Sequence, residues 1–482
     1  MYVLQTIAEQ IGLPPILKAV FPTDYRTLLA LAFFEISEAA PLYLFPYWVE
    51  SSAVAEVSPL SSRDLTTFTQ NLGRMERERL EFSRQWVKQA GPIHAVAFDI
   101  TSLSSYSELV EYVEWGYNRD LDSLPQINLG IIYAENTQLP LHYQVYPGSI
   151  PDVSTLQNML HYLELFELHD LIFIADRGFY SAANLAKLHH APVTFILPLP
   201  RSVKQFASLL SKHKRPLTNP ANAFPYHDEV LFHVYDTFEL NQVSLYAHLF
   251  FSEHRKSEQT SRFLNSILEL ETAAHQETFR TPQEARSYLA RHLKGASRLF
   301  HVQTRDGRVE IARKPQTLAR RMGKMGVTIM LSNSQDIQRS TMLDLYRRKD
   351  YLEKTFDVLK NECDGKRLRG HSKEAVEGCL FIKFLSLILY AALGNTMRQQ
   401  QLFKDYSVKE LMYELKKLRI VELSNGKSYL TEISKRQKDI FSKFAIDIPS
   451  IKTELLKQTI LGLLQGKLRQ VTTWELTDLL LI

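Results

Sequence analysis

Residues 346–360, YRRKDYLEKTFDVLK, set a glutamate among basic residues at a spacing that a helix would turn into proximity. At 3.6 residues per turn, Tyr346, Lys349, Glu353, Asp357 and Lys360 fall within an arc of roughly 80°. Leu345, Leu352, Phe356 and Leu359 form an apolar stripe along one flank of that arc. One side of the helix can therefore pack on a core while the adjoining side presents a carboxylate, two lysines and a phenol. The same pattern describes a solvated helix face with i,i+4 charge pairs. The choice between the two depends on residues upstream.

Two aspartates lie upstream, each where an apolar run reads as a strand that ends. Residues 94–100, HAVAFDI, contain Asp99 and are followed by TSLSS; residues 171–175, LIFIA, stop at Asp176 and are followed by RGFYS. Chemistry in open α/β sheets gathers at strand carboxyl ends. Three acidic groups meeting there repel one another unless cations neutralise them, and hard oxygen ligands suit Mg²⁺ or Mn²⁺. Two such ions about 4 Å apart can activate a water or a 3′-hydroxyl and stabilise the leaving oxygen of a phosphodiester. Each aspartate taken alone is also explained as a helix cap or a turn residue. An aspartyl-phosphate phosphatase would use Asp99 as nucleophile in a DxD motif, but Thr101 holds the second position.

The elements that must position these groups come from the rest of the chain. Its 482 residues predict two to four domains, and 45% hydrophobic with 23% charged residues suits a globular protein with a sizeable core. The net charge of +4 permits nucleic-acid binding without arguing for it. Two cysteines, Cys363 and Cys379, supply neither a disulfide framework nor a CxxC zinc site, and with His371 they make a poor metal signal. The opening residues do not read as a signal peptide. Residues 379–393, CLFIKFLSLILYAAL, are shorter than a bilayer span and carry Lys383, so they read as a buried core helix. A reduced, cytoplasmic setting and no membrane partner are the expectation.

Residues 1–90 read as two or three packed helices with a possible role in DNA binding, although no helix-turn-helix is spelled out. Residues 94–100, 126–134, 139–146, 171–175 and 193–197 read as strands, with helices over 153–168 and 181–190. That order predicts a mixed α/β sheet with helices packed on it. Residues 201–325 interrupt it with two strand-like runs, two helices and a hairpin around Asp306-Gly307, and read as an inserted subdomain. Residues 326–331 return to a buried strand. The glutamate helix follows from about Ser340, with Ser334 and Asp336 as start signals. Residues 401–482 read as a mostly helical region with a turn at 425–427.

The chain resembles the DDE transposases of bacterial insertion sequences, in the subgroup marked by Tyr, two residues, Arg, three residues, Glu, six residues, Lys. Tyr346, Lys349, Glu353 and Lys360 stand at that spacing, with Lys349 where the family more often has Arg. Lys keeps the charge but not the bidentate phosphate geometry, and the neighbouring Arg348 is an alternative donor. FDIT around Asp99, GYNRD at 116–120, PGSIPD at 147–152 and IADRGFY around Asp176 resemble further family motifs.

The resemblance implies a ribonuclease H-like core over 91–200 and 326–400, with the 201–325 subdomain inserted between its last strand and the glutamate helix. It implies that Asp99, Asp176 and Glu353 are catalytic and hold two Mg²⁺ or Mn²⁺ ions when DNA is bound. Tyr346, Arg348 or Lys349, Lys360 and Arg177 would contact the DNA backbone. The implied activity is cleavage at the inverted-repeat ends of the element and transfer of the 3′-hydroxyls to target DNA, by a homodimer in the synaptic complex. A ribonuclease H-like nuclease without strand transfer and a catalytically inactive DNA-binding regulator are the alternatives.

Overall fold

The computed structural model describes residues 2–448 apart from 53–56, 58–59, 108, 121, 294, 306–307, 364, 366 and 423–427. Six helices open the chain: α1 (Tyr2–Gln10), α2 (Leu13–Val20), α3 (Tyr25–Glu38), α4 (Phe45–Ser51), α5 (Ser62–Arg74) and α6 (Glu76–Gln89). Then come β1 (Ala95–Ser105), β2 (Gln126–Ala134), β3 (Leu139–Pro147), α7 (Asp152–Leu165), β4 (Ile172–Ala175), α8 (Ala182–His190) and β5 (Thr194–Pro198). The middle of the chain supplies α9 (Lys204–His213), β6 (Ala223–Tyr226), β7 (Glu229–Leu240), β8 (Val243–Phe251), α10 (Glu253–Gln276), α11 (Pro282–His292), β9 (Phe300–Arg305), β10 (Arg308–Arg313) and α12 (Pro315–Met322). It closes with β11 (Val327–Ser332), α13 (Arg339–Arg348), α14 (Asp350–Asn361), β12 (Arg367–Leu368), α15 (Lys373–Gln399), α16 (Val408–Lys416), β13 (Ile420–Glu422), β14 (Ser428–Leu430) and α17 (Lys435–Lys443).

Among the described residues these elements form two compact units, one drawn from Met1–Pro151, Leu163–Leu168 and Arg348–Ile482, the other from Asp152–Tyr162 and His169–Arg347. In the first, β3, β2 and β1 pair antiparallel in that order, and the short β12 adds parallel to β1. The core of this unit is α15, which packs on α3, α5 and β3. Its length and composition would let it cross a membrane, but 78% of its apolar window is buried inside the protein. Lys383, the one charge in its apolar run, is matched by Glu35 of α3. The amino-terminal helices number six among the described residues, more than the two or three expected, because short kinked segments carry the same apolar periodicity as longer ones.

In the second unit, β4 and β5 are parallel, and β11, β8, β7 and β6 follow in antiparallel order. The segment read as an insertion therefore divides in two. Its strands β6 to β8 extend the sheet that holds β5 and β11. The remainder closes on its own apolar cluster, with Phe263, Ile267, Leu289, Phe300 and Leu318 among its members. The expected hairpin there is β9–β10, whose tip at Asp306-Gly307 lies outside the described residues, as does the turn at 425–427 between β13 and β14.

Two expectations are corrected. The strand containing Asp99 does not end there: β1 continues to Ser105, and Asp99 sits mid-strand opposite Ile131. The polar run TSLSS stays in the sheet because its buried hydroxyls find partners. Ser102 Oγ lies 3.2 Å from Asn128 Oδ1, and Asn118 Nδ2 donates to Ser104 Oγ at 3.1 Å. Residues 346–360 are not one helix either. α13 ends at Arg348 and α14 starts at Asp350, with Lys349 between them at φ −51° and ψ −26°. Lys349 keeps a helical backbone, so the i,i+4 relation to Glu353 survives the break.

Candidate active site

In the first unit, Asp99 and Glu353 meet around one buried lysine. β1 carries Asp99 between the buried Phe98 and Ile100, and its Oδ1 accepts the Ile100 N–H at 2.9 Å. α14 is held to the core by Leu352, Phe356 and Leu359, the apolar stripe of the sequence. That packing leaves Glu353 on the outer face, its side chain 63% exposed. Lys349, only 6% exposed, places Nζ 3.4 Å from Asp99 Oδ2 and 3.8 Å from Glu353 Oε1. The ammonium balances two carboxylates that would otherwise repel each other.

Farther along α14, Lys360 Nζ donates to both Asp120 oxygens at 2.7 and 2.9 Å. Asp120 ends the GYNRD segment, and that segment locks against PGSIPD backbone to backbone. A Cβ on Gly116 would fall 1.9 Å from the Gly148 carbonyl oxygen, so a side chain at Gly116 would push the two loops apart. Arg348 is exposed, and its charge acts on Glu135 at the end of β2. Burial pushes the Glu135 carboxyl up to about 7, against the lowering influence of Arg348. Sequence reasoning missed Glu135, which sits in an ordinary strand end. Asp120 was visible inside GYNRD, but nothing in the sequence named its partner.

The remaining site residues belong to the second unit. Asp176 directly follows β4 and precedes a short 3₁₀ turn, Arg177–Phe179, without capping it through its side chain. The helix-cap explanation for Asp176 is therefore not met. Arg177 is exposed, and Tyr346, near the end of α13, is half-buried and close enough to Arg201 to act on its charge.

The donor set suits a hard cation. Asp99 and Glu353 already share one positive charge, and carboxylate oxygens are the ligands Mg²⁺ and Mn²⁺ prefer. As placed, no three His, Cys, Asp or Glu side chains among the described residues form a ready metal site. In the first unit it is Lys349 that stands between the carboxylates.

Residues 91–389, well over half of the chain, match the family described as Transposase DDE domain. The chain belongs to this family. The match takes in β1 with Asp99, β4 with Asp176, and α14 with Glu353. None of the curated proteins matches this DDE transposase. Among solved structures, it is similar to a piggyBac transposase in a synaptic complex with hairpin DNA, at 10% identity and a TM-score of 0.37, over 89% of this chain and 76% of that one.

Proposed function

We propose that this DDE transposase binds the inverted-repeat ends of its own bacterial insertion sequence, cleaves there and joins the 3′-hydroxyl ends to target DNA. The observation that carries the reading is the meeting of Asp99 and Glu353 around Lys349 in a transposase-family domain. Asp99, Asp176 and Glu353, on a ribonuclease H-like core, would hold two Mg²⁺ or Mn²⁺ ions. When bound, such ions lower the pKa of the attacking oxygen and stabilise the leaving one.

The chain's own residues position the DNA. Lys349 and Lys360 are each held by carboxylates in the protein alone, and each would exchange them for a phosphate of the transposon end. Tyr346, Arg348 and Arg177 supply further backbone contacts. Phosphate contacts of this kind fix register without reading sequence. Two ends are paired by a homodimer, in the bacterial cytoplasm.

The test is Glu353→Gln with labelled duplexes carrying the terminal repeats. The amide keeps size but removes one negative charge from the ion-binding set. Nicking and joining should fall by roughly 10² to 10³, while end binding in a gel shift persists. Nicking at the wild-type rate would remove Glu353 from the catalytic set, and nicking without joining by the wild-type protein would replace transposase with nuclease.

A further inference from the structure

The sheet of the second unit gathers three arginines on one edge. β4 and β5 are parallel, so their carboxyl ends leave on the same side. β11 runs antiparallel to β5, with Met330 opposite Pro198, which brings its amino end to that side. β8 runs antiparallel to β11, with Phe251 opposite Val327, so its carboxyl end returns there too. Arg177 opens the turn after β4, Arg201 follows β5, and Arg255 lies in the first turn of α10, directly after β8. All three are exposed.

The edge is rigidly built. Gly326, at φ +75°, starts β11 against the amino end of α10, where a Cβ would fall 2.6 Å from the Ser252 carbonyl oxygen. Ser252 N–H donates to Gly326 O at 3.1 Å. Arg201 Nη2 donates to Val327 O at 2.9 Å, and Lys324 Nζ to Arg201 O at 2.6 Å. The guanidiniums are close enough to affect one another. Desolvation lowers the pKa of Arg201, and the charges of Arg177 and Arg255 lower it further.

Nearby carboxylates have other bonds to make. Glu229 accepts from Arg347 at 2.7 Å and from Ser252 Oγ at 2.9 Å, although the charge of Arg255 also reaches it. Glu253 pairs with Lys256 at 3.5 Å. Three like charges held together on a fixed scaffold cost Coulomb energy that an anion would recover.

We propose that Arg177, Arg201 and Arg255 form a track for the phosphates of duplex DNA along this edge. The inference rests on the transposase reading and adds Arg201 and Arg255 to its DNA contacts. A polymer fits better than a small anion. From β4 to β8 the edge crosses three strand intervals, about 14 Å, and one strand of a duplex brings a phosphate every ~3.4 Å of axis. Single strands bind through aromatic stacking platforms. Of the Phe, Tyr and Trp rings described in this unit, the exposed one is Tyr235, which lies mid-strand in β7 opposite His248.

The experiment is fluorescence anisotropy on the full chain, with labelled duplexes of terminal-repeat and of random sequence, and a single strand of equal length, across a salt series. Arg201→Ala and Arg255→Ala should each weaken duplex binding by roughly 3- to 10-fold. The double variant should reduce the slope of log K against log salt by about 2. Arg201→Lys with Arg255→Lys should restore most of that slope. Arg262→Ala, which removes the α10 partner of Glu258, should change neither quantity. Melting curves check folding, and Arg255→Ala carries the test if loss of the Val327 bond makes the Arg201 variant melt early. Wild-type affinity and slope in the double variant, with the parent binding duplex, would overturn the track alone. Loss confined to the single-stranded probe would overturn its assignment to duplex DNA. Absence of duplex binding by the parent at low salt would overturn the track and the transposase reading together.

Discussion

Two buried lysines in the first unit face carboxylates and are held very differently. Lys383 Nζ donates to both oxygens of Glu35 at 3.0 Å and to the Cys363 carbonyl at 2.5 Å, in the middle of the α15 core. Desolvation pulls its pKa down, but Glu35 outweighs it and the net shift is upward. Lys349 lies farther from its neighbours Asp99 and Glu353, at 3.4 and 3.8 Å, and Glu353 opens to solvent. The first lysine is a closed clamp whose every contact is short. The second lies farther from these two carboxylates, one of which is exposed. The same pair of residue types is thus closed in a core in one place and partly open to solvent in the other.

The most damaging way to probe the difference is Lys383→Met. It leaves Glu35 charged and buried, which should cost about 3–5 kcal/mol in urea unfolding, and Glu35→Gln with Lys383→Met should recover most of it. Glu135 extends the comparison to a buried carboxylate whose oxygens accept no hydrogen bond among the described residues. Its pKa is raised from 4.5 to about 7, so the folded state holds the proton more tightly than the unfolded chain. Its contribution is therefore fully present below pH 4.5 and is lost as pH rises through about 7. The loss should amount to ~3 kcal/mol at most. Glu135→Gln should flatten that part of the stability profile, measured by chemical unfolding from pH 4 to 8; an unchanged profile would mean the carboxyl is solvated. The smallest effect is expected at Lys349→Ala, about 1–2 kcal/mol, since of the two carboxylates it leaves only Asp99 is largely buried and solvent screens Glu353. The same variant should bind Mn²⁺ more tightly in an electron paramagnetic resonance titration. A destabilisation equal to that of Lys383→Met, with unchanged Mn²⁺ affinity, would erase the contrast between the two lysines.

Much of this was legible because burial writes itself into apolar periodicity. The runs at 126–134 and 139–146 are β2 and β3, and 379–393 falls inside α15. The spacing of Lys349 and Glu353 also carried through to a contact. What escaped was polar structure that depends on distant partners. Ser102 and Ser104 look like a loop until Asn128 and Asn118 satisfy them. Lys349 looks like a surface base until Asp99 arrives from β1, and Lys360 until Asp120 does. The break after Arg348 has no proline or glycine to announce it.

The continuation of β1 beyond Asp99 has a consequence for timescale. The strand is registered to β2 from Val96 to Ser104, so displacing Asp99 means opening the sheet. Amides along such a strand exchange hydrogen through near-global unfolding, whereas the first turn of a helix frays on its own. Glu353 lies in that first turn of α14, just past the break at Lys349. In a hydrogen–deuterium exchange experiment the two carboxylates would therefore sit on segments with very different clocks, a slow one on the sheet and a faster one at the start of the helix.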